Sequence, residues 1–174
     1  MFYLVIHSYL YINSVIWGKD PRHLEDKVSL LKQVANQVNL FTTATEQLFK
    51  HKNVYWVGHQ TPENWMKLLG ESKFLLGLGN PISGPSAIDA ISMGCMFINP
   101  VYNQPVVVND IPVSSQHPFA EKIGLPYVCN YKENSAVDLQ RCIKIALESN
   151  LQPYIPKEFT LSDYLQRVKS IFLL

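Results

Sequence analysis

Short apolar runs alternate along this chain with stretches whose apolar residues recur every three or four positions. Residues 2–6, 9–17, 54–58, 74–78 and 95–98 are the apolar runs, each of strand length. Between them, Leu24, Val28, Leu31, Val34, Ala35 and Val38 line one face of a helix that Asp20 and Pro21 open. Thr61-Pro62-Glu63 opens a second helix, with Trp65, Leu68 and Leu69 apolar and Gly70 at its end. A third runs over 85–93 to Gly94. Ser135–Asp138 and Thr160–Asp163 are capping-box patterns that open helices to about Ser149 and through Val168 and Ile171. Strands that are apolar throughout are buried on both faces, and strands alternating with helices form a parallel sheet. The expected fold class is therefore α/β with a Rossmann-like parallel sheet. Residues 40–53 are polar and read as helix or loop, 100–120 as a loop with four prolines, and 127–128 as a short strand.

Composition removes several function classes. With 174 residues the chain is one domain of ordinary size. Fifteen Lys+Arg against fourteen Asp+Glu leave a net charge of +1, which disfavours a nucleic-acid-binding role. A hydrophobic fraction of 47% excludes disorder. No run reaches the roughly 18–20 apolar residues of a membrane span, so no membrane contact is expected of the chain itself. The apolar N-terminus lacks a basic leader and is interrupted by His7, Ser8 and Asn13, so it reads as a buried strand and not a signal segment. The cysteines Cys95, Cys129 and Cys142 have neither a disulfide framework's spacing nor a zinc set's, and read as small buried hydrophobes. A Cys129–Cys142 bridge is compatible with the sequence, which does not call for one. Trp56 and Trp65 read as core.

One segment carries chemistry. Gly77-Leu78-Gly79-Asn80-Pro81-Ile82-Ser83-Gly84-Pro85-Ser86 leads from a strand through a glycine-rich turn into a helix that contains Asp89. Backbone N–H groups at such a turn and helix start attract anions, and ligands of open α/β sheets dock at the carboxyl ends of strands. A phosphate or diphosphate near Gly84, Pro85 and Ser86 is the expectation. Asp89, one turn into the helix, is placed to reach a ribose or sugar hydroxyl. No Gly-Lys-Ser/Thr ending is present, so a P-loop is excluded, and Gly84 comes too late for a dinucleotide fingerprint.

The run from Gly77 to Pro100, with Gly84-Pro85, Asp89-Ala90-Ile91 and Gly94-Cys95, resembles the donor-site region of the α-1,6-mannosylglycoprotein 6-β-N-acetylglucosaminyltransferases, the GlcNAc-transferase V family. Three more stretches resemble it in the same order: Ser115-Gln116-His117-Pro118-Phe119-Ala120-Glu121, Pro153-Tyr154 with Pro156 and Glu158-Phe159-Thr160, and Leu165-Gln166-Arg167. Near the start Ile6-His7-Ser8-Tyr9 is similar as well. Residues 19–53 do not match and are read as an insertion.

The resemblance implies a two-lobed GT-B glycosyltransferase of which residues 1–174 are the C-terminal, UDP-sugar-binding lobe, the N-terminal acceptor lobe being absent. It implies UDP-N-acetylglucosamine as donor, an N-glycoprotein acceptor, inversion at the anomeric carbon, no metal, and a Golgi-lumenal setting. The catalytic base belongs to the missing lobe, so the chain alone is expected to be inactive. The alternative is a relic that folds without transferase activity. The donor-binding residues that the motif implies are Gly79, Ser83, Gly84, Pro85, Ser86, Asp89, Gln116 and His117. Two carboxylates of the family pattern differ here: Ser83 stands where it has Glu, and Asp89 is one methylene shorter. Val101 and Val106 replace its basic residues after Asn99-Pro100. Tyr154 and Glu158 read as a packing elbow for the last helix.

Overall fold

The computed structural model describes residues 12–18 and 20–172. The strand expected over 2–6, and His7 with it, lies outside the described residues. Among these, β1 (Asn13–Ile16) is followed by two 3-10 turns and α1 (Val28–Ala35), then β2 (Asn39–Thr42) and β3 (Val54–Trp56). Next come α2 (Pro62–Gly70), β4 (Ser72–Leu76), α3 (Ser86–Ser92), the long β5 (Met96–Val108) and β6 (Ile111–Ser115). The chain continues through α4 (Pro118–Ile123), β7 (Val128–Lys132), α5 (Ala136–Glu148) and α6 (Leu161–Phe172).

β1, β2, β3, β4, β7 and the first half of β5 run parallel in the order β3-β2-β1-β4-β5-β7. Val15 pairs with Phe41 on one side and Leu75 on the other, so β1 and β4 are the central strands. Each strand divides its side chains between two cores. Ile16, Phe74, Leu76, Met96 and Ile98 join Leu31 and Val34 of α1 and Leu139 and Ile143 of α5. Val15, Leu75 and Phe97 join Leu69 of α2, Ala87 and Ile91 of α3 and Ala120 of α4. All of these side chains are buried. The α/β expectation holds.

The caps behave as their residues dictate. Thr61 accepts from the Asn64 N–H at 3.2 Å, and Ser135 accepts from the Asp138 N–H at 3.2 Å. Gly70 is the last residue of α2, and Glu71, not Gly70, is its C-terminal cap. Gly94 has φ +75°, and a β-carbon there would lie 2.8 Å from the Leu151 carbonyl oxygen, so α3 ends where only glycine fits.

Four expectations need correction. Residues 40–53 contain most of β2, a strand with neighbours on both sides. Its Asn39-Leu40-Phe41-Thr42 pattern is short and hidden by the polar stretch after it. The 19–53 segment thus supplies α1 and β2 to the fold. Residues 100–120 are not a loop: β5 continues and pairs antiparallel with β6 through a turn in which Asn109 and Asp110 have φ 48° and 65°. Pro105 and Pro112 are tolerated because this hairpin is a sheet edge. Cys129 and Cys142 form a disulfide between β7 and α5, buried at both ends, while Cys95 is a buried free thiol. Trp56 and Trp65 are half-buried, not enclosed.

The terminal elbow packs while its helix does not. Tyr154 stacks on Tyr127 at 4.6 Å and Phe159 meets Phe119 edge-on at 5.0 Å. No residue of α6 is buried, and Leu161, Tyr164, Leu165, Ile171 and Phe172 are exposed. No helix among the described residues is long and apolar enough to cross a membrane.

The disulfide spans a sequence separation of 13. Closing a loop of that size stabilises a fold by about 3 kcal/mol in the chain-entropy account. Replacing both Cys129 and Cys142 with Ala is expected to lower unfolding free energy by about that amount, read from urea denaturation curves.

Candidate functional site

Strand order reverses between β1 and β4. β1 connects outward to β2 through α1 on one face, and β4 connects to β5 through α3 on the other. At such a point the carboxyl ends of two adjacent strands open a crevice. Trp17 follows β1 there, and Gly77 and Leu78 follow β4. Trp17, Gly77, Leu78, Pro81, Ser86 and His117 are among the side chains and backbone that line a narrow inner crevice with a cavity volume of about 30 Å³. Trp17 and Ser86 also border an outer crevice with a cavity volume of about 170 Å³, whose other walls are Thr43, His59, Gln60 and Trp65. The two are contiguous across the shared pair.

The glycine-rich turn is held from three strands. Gln116, at the end of β6, accepts through its side-chain oxygen from the Gly79 N–H at 2.9 Å and donates to the Pro81 carbonyl at 3.1 Å. Its backbone donates to Pro100 and accepts from Ser83, at 3.0 and 2.7 Å. Tyr102 of β5 donates its hydroxyl to the Gly79 carbonyl at 2.8 Å, and Tyr131 of β7 donates to that of Gly77 at 3.1 Å. Burial and the nearby Glu133 push Tyr102 up to about 12 and raise Tyr131 too, so both phenols stay protonated donors. A β-carbon on Gly77 would lie 2.5 Å from the Gln116 side-chain oxygen and 2.7 Å from Pro100. Only glycine lets the clamp close.

The turn enters α3 with Pro85 as its N-terminal cap. Among the described residues the N–H groups of Ser86 and Ala87 have no partner, the ordinary state of a helix's first amides. Ser83 sits in the left-handed region at φ 56° and is exposed. Asp89 is half-buried, and its carboxylate accepts from the Trp65 indole N–H at 3.1 Å. It thereby fixes a wall of the outer crevice.

Beside the turn, His117 is 6% exposed and caps α4, its Nδ1 accepting from the Ala120 N–H at 3.0 Å. Its own N–H donates to the Asn99 side chain at 3.1 Å, and Asn99 donates to Asn130 at 3.0 Å. Burial lowers the His117 pKa below the usual histidine value, against a raising backbone hydrogen bond.

The expected site residues thus separate. Gly84, Ser86, Gln116 and His117 line the inner crevice. Gly79 and Ser83 shape the turn behind it, Pro85 caps α3, and Asp89 reaches the site through Trp65. Trp17, Thr43, His59 and Gln60, which border the crevices, were not legible as site residues. Each follows a strand's carboxyl end, but only known strand order brings those ends together. Val101 and Val106 lie on the β5–β6 hairpin, paired with Ser115 and Val113. Among the described residues no three His, Cys, Asp or Glu side chains are grouped as metal ligands.

Residues 9–173 match the model of glycosyltransferase family 18. The chain is 29% identical over 170 residues to the α-1,6-mannosylglycoprotein 6-β-N-acetylglucosaminyltransferase A of Homo sapiens, covering 90% of this chain and 23% of that protein. It is 27% identical over 176 residues to the Caenorhabditis elegans α-1,6-mannosylglycoprotein 6-β-N-acetylglucosaminyltransferase, covering 90% and 26%. The chain therefore spans about a quarter of the length of these relatives. Two solved structures share its fold. A Listeria monocytogenes protein described as a UDP-N-acetylglucosamine 2-epimerase superposes with TM-score 0.52 at 13% identity, over 94% of this chain and 45% of its own. Staphylococcus aureus MnaA, solved with UDP, gives 0.52 at 12%, over 97% and 47%. The likeness identifies a Rossmann-like lobe of GT-B type.

Because Gln116 is nearly buried and all its side-chain bonds serve the turn, its truncation leaves the Gly79 N–H and Pro81 carbonyl unpaired. Gln116→Ala is expected to cost about 2 kcal/mol of stability, measured by chemical denaturation.

Proposed function

The chain belongs to glycosyltransferase family 18, and from that premise we propose that it holds the UDP part of UDP-N-acetylglucosamine for transfer to the α-1,6-linked mannose of N-glycans. The observation that carries the reading is the paired crevice at the order reversal, where the clamped glycine turn leads into α3 and Ser86 and Ala87, whose amides have no partner among the described residues, line the inner crevice. The diphosphate lies against Gly84, Pro85, Ser86 and the turn formed by Gly79 and Ser83, with Gln116 and His117 at its side. The nucleoside takes the outer crevice, where Trp65, oriented by Asp89, gives an aromatic wall. Asp89 lines neither crevice and acts on the nucleoside by holding Trp65.

In the proposed reaction the acceptor hydroxyl attacks the anomeric carbon from the face opposite the diphosphate. A base takes the hydroxyl proton, the bond to the diphosphate oxygen breaks, and UDP leaves with inversion. Preorganised amides aimed at the departing oxygens would stabilise their charge without a metal. Among the described residues no Asp or Glu side chain lines either crevice. In this reading the general base belongs to the family's other lobe, as the resemblance implies, so donor binding and transfer are separable properties. The buried disulfide supports an oxidising compartment, in keeping with the Golgi lumen.

Calorimetric titration tests the reading. The chain is expected to take up UDP and UDP-N-acetylglucosamine, and no heat with either at millimolar ligand would remove the donor site. Asp89→Ala is expected to weaken binding at least tenfold, about 1.4 kcal/mol. A glycosyl-transfer assay on this chain alone is expected to show no product, since donor binding supplies no base.

A further inference from the structure

The ring of His117 is held from several sides. Nδ1 accepts from the Ala120 N–H, the backbone N–H is bound by Asn99, and Phe97 meets the ring edge-on at 6.3 Å. A neutral imidazole has one donor and one acceptor nitrogen. Since the Ala120 amide can only donate, Nδ1 carries the lone pair and the proton resides on Nε2. Nε2 has no partner among the described residues, and His117 is a wall of the inner crevice. Gln116, the neighbouring polar wall, has spent its side chain on the turn.

We propose that His117 is a fixed hydrogen-bond donor to the bound nucleotide sugar, its Nε2–H directed at an acceptor oxygen of the diphosphate, and is not a proton acceptor in the transfer. The inference rests on the donor-site reading above. It divides two adjacent residues by role: Gln116 positions the turn, and His117 touches the ligand. Burial, which disfavours the charged ring, keeps His117 neutral near pH 7, as the tautomer requires. A neutral donor at this place needs a ligand atom with a lone pair, and the oxygens of the diphosphate that the donor-site reading puts against Gly84 and Ser86 supply it.

Two substitutions separate the ring's nitrogens. Asn is a strong helix cap and replaces Nδ1 as acceptor for Ala120, but has nothing at the Nε2 position. Gln carries its amide nitrogen further out, near the Nε2 position, and loses the short cap. With UDP as the probe, His117→Asn is expected to melt as the wild type does and to bind about tenfold more weakly. His117→Gln is expected to melt lower and to keep more of the affinity than His117→Asn. In the wild-type chain, nitrogen-15 spectra of the histidine rings are expected to show Nδ1 unprotonated and Nε2 protonated, with the Nε2 resonance moving on UDP addition. Binding by His117→Asn as tight as the wild type's, or a protonated Nδ1, overturns this inference and leaves the donor site standing. A wild-type chain that binds no UDP overturns both.

Discussion

The parallel pairing of β1 with β4 is the contact on which the rest of this structure depends. These strands lie side by side in the sheet, yet the chain leaves them in opposite directions. From β1 it goes out through α1 to β2, and from β4 through α3 to β5. Both strands are covered on both faces, so Ile16, Leu76 and Phe74 enter one core while Val15 and Leu75 enter the other. Helices on the two faces cannot both roof the boundary between them. The carboxyl ends of β1 and β4 are left open, and that opening is the crevice.

A glycine-rich turn at such an opening has little internal reason to hold one shape. Here it is held by groups from elsewhere. Gln116 bonds to the Gly79 amide and the Pro81 carbonyl, and Tyr102 and Tyr131 bind the turn's carbonyls. The three come from β6, β5 and β7, so the edge hairpin has a use beyond the sheet: it carries Gln116 to the turn and His117 to the crevice. With the Gly79 and Ser83 amides bonded to Gln116, the turn holds one shape where it enters α3, and the Ser86 and Ala87 amides are left unpartnered among the described residues.

The parts of the fold legible in the sequence are those decided locally. Thr61, Ser135 and Thr160 cap helices because their hydroxyls reach amides three residues on, and that needs no tertiary partner. The apolar runs at 54–58, 74–78 and 95–98 became strands because nothing else buries continuous apolar chain at that length. β2 was hidden because four residues followed by a polar stretch carry too weak a period. The β5–β6 hairpin was hidden by its prolines, although Asn109-Asp110 between valine-rich arms is a hairpin signal in its own right. The disulfide depends on β7 and α5 lying side by side, which cysteine spacing alone does not encode.

The sequence by itself determined the fold class, the strand–turn–helix that forms the site, and the family, because each resides in residues adjacent along the chain. Tertiary structure decided what each site residue can do. Gln116 and His117 are neighbours in one motif, but one side chain folds onto the turn and the other caps α4 with its remaining nitrogen free. Asp89 is one turn into α3, but Trp65, from a helix on the other side of β4 in sequence, takes its carboxylate. Whether a polar side chain is spent on the fold or left for a ligand is settled by which donors and acceptors lie within about 3 Å of it, and those come from strands far apart in the chain.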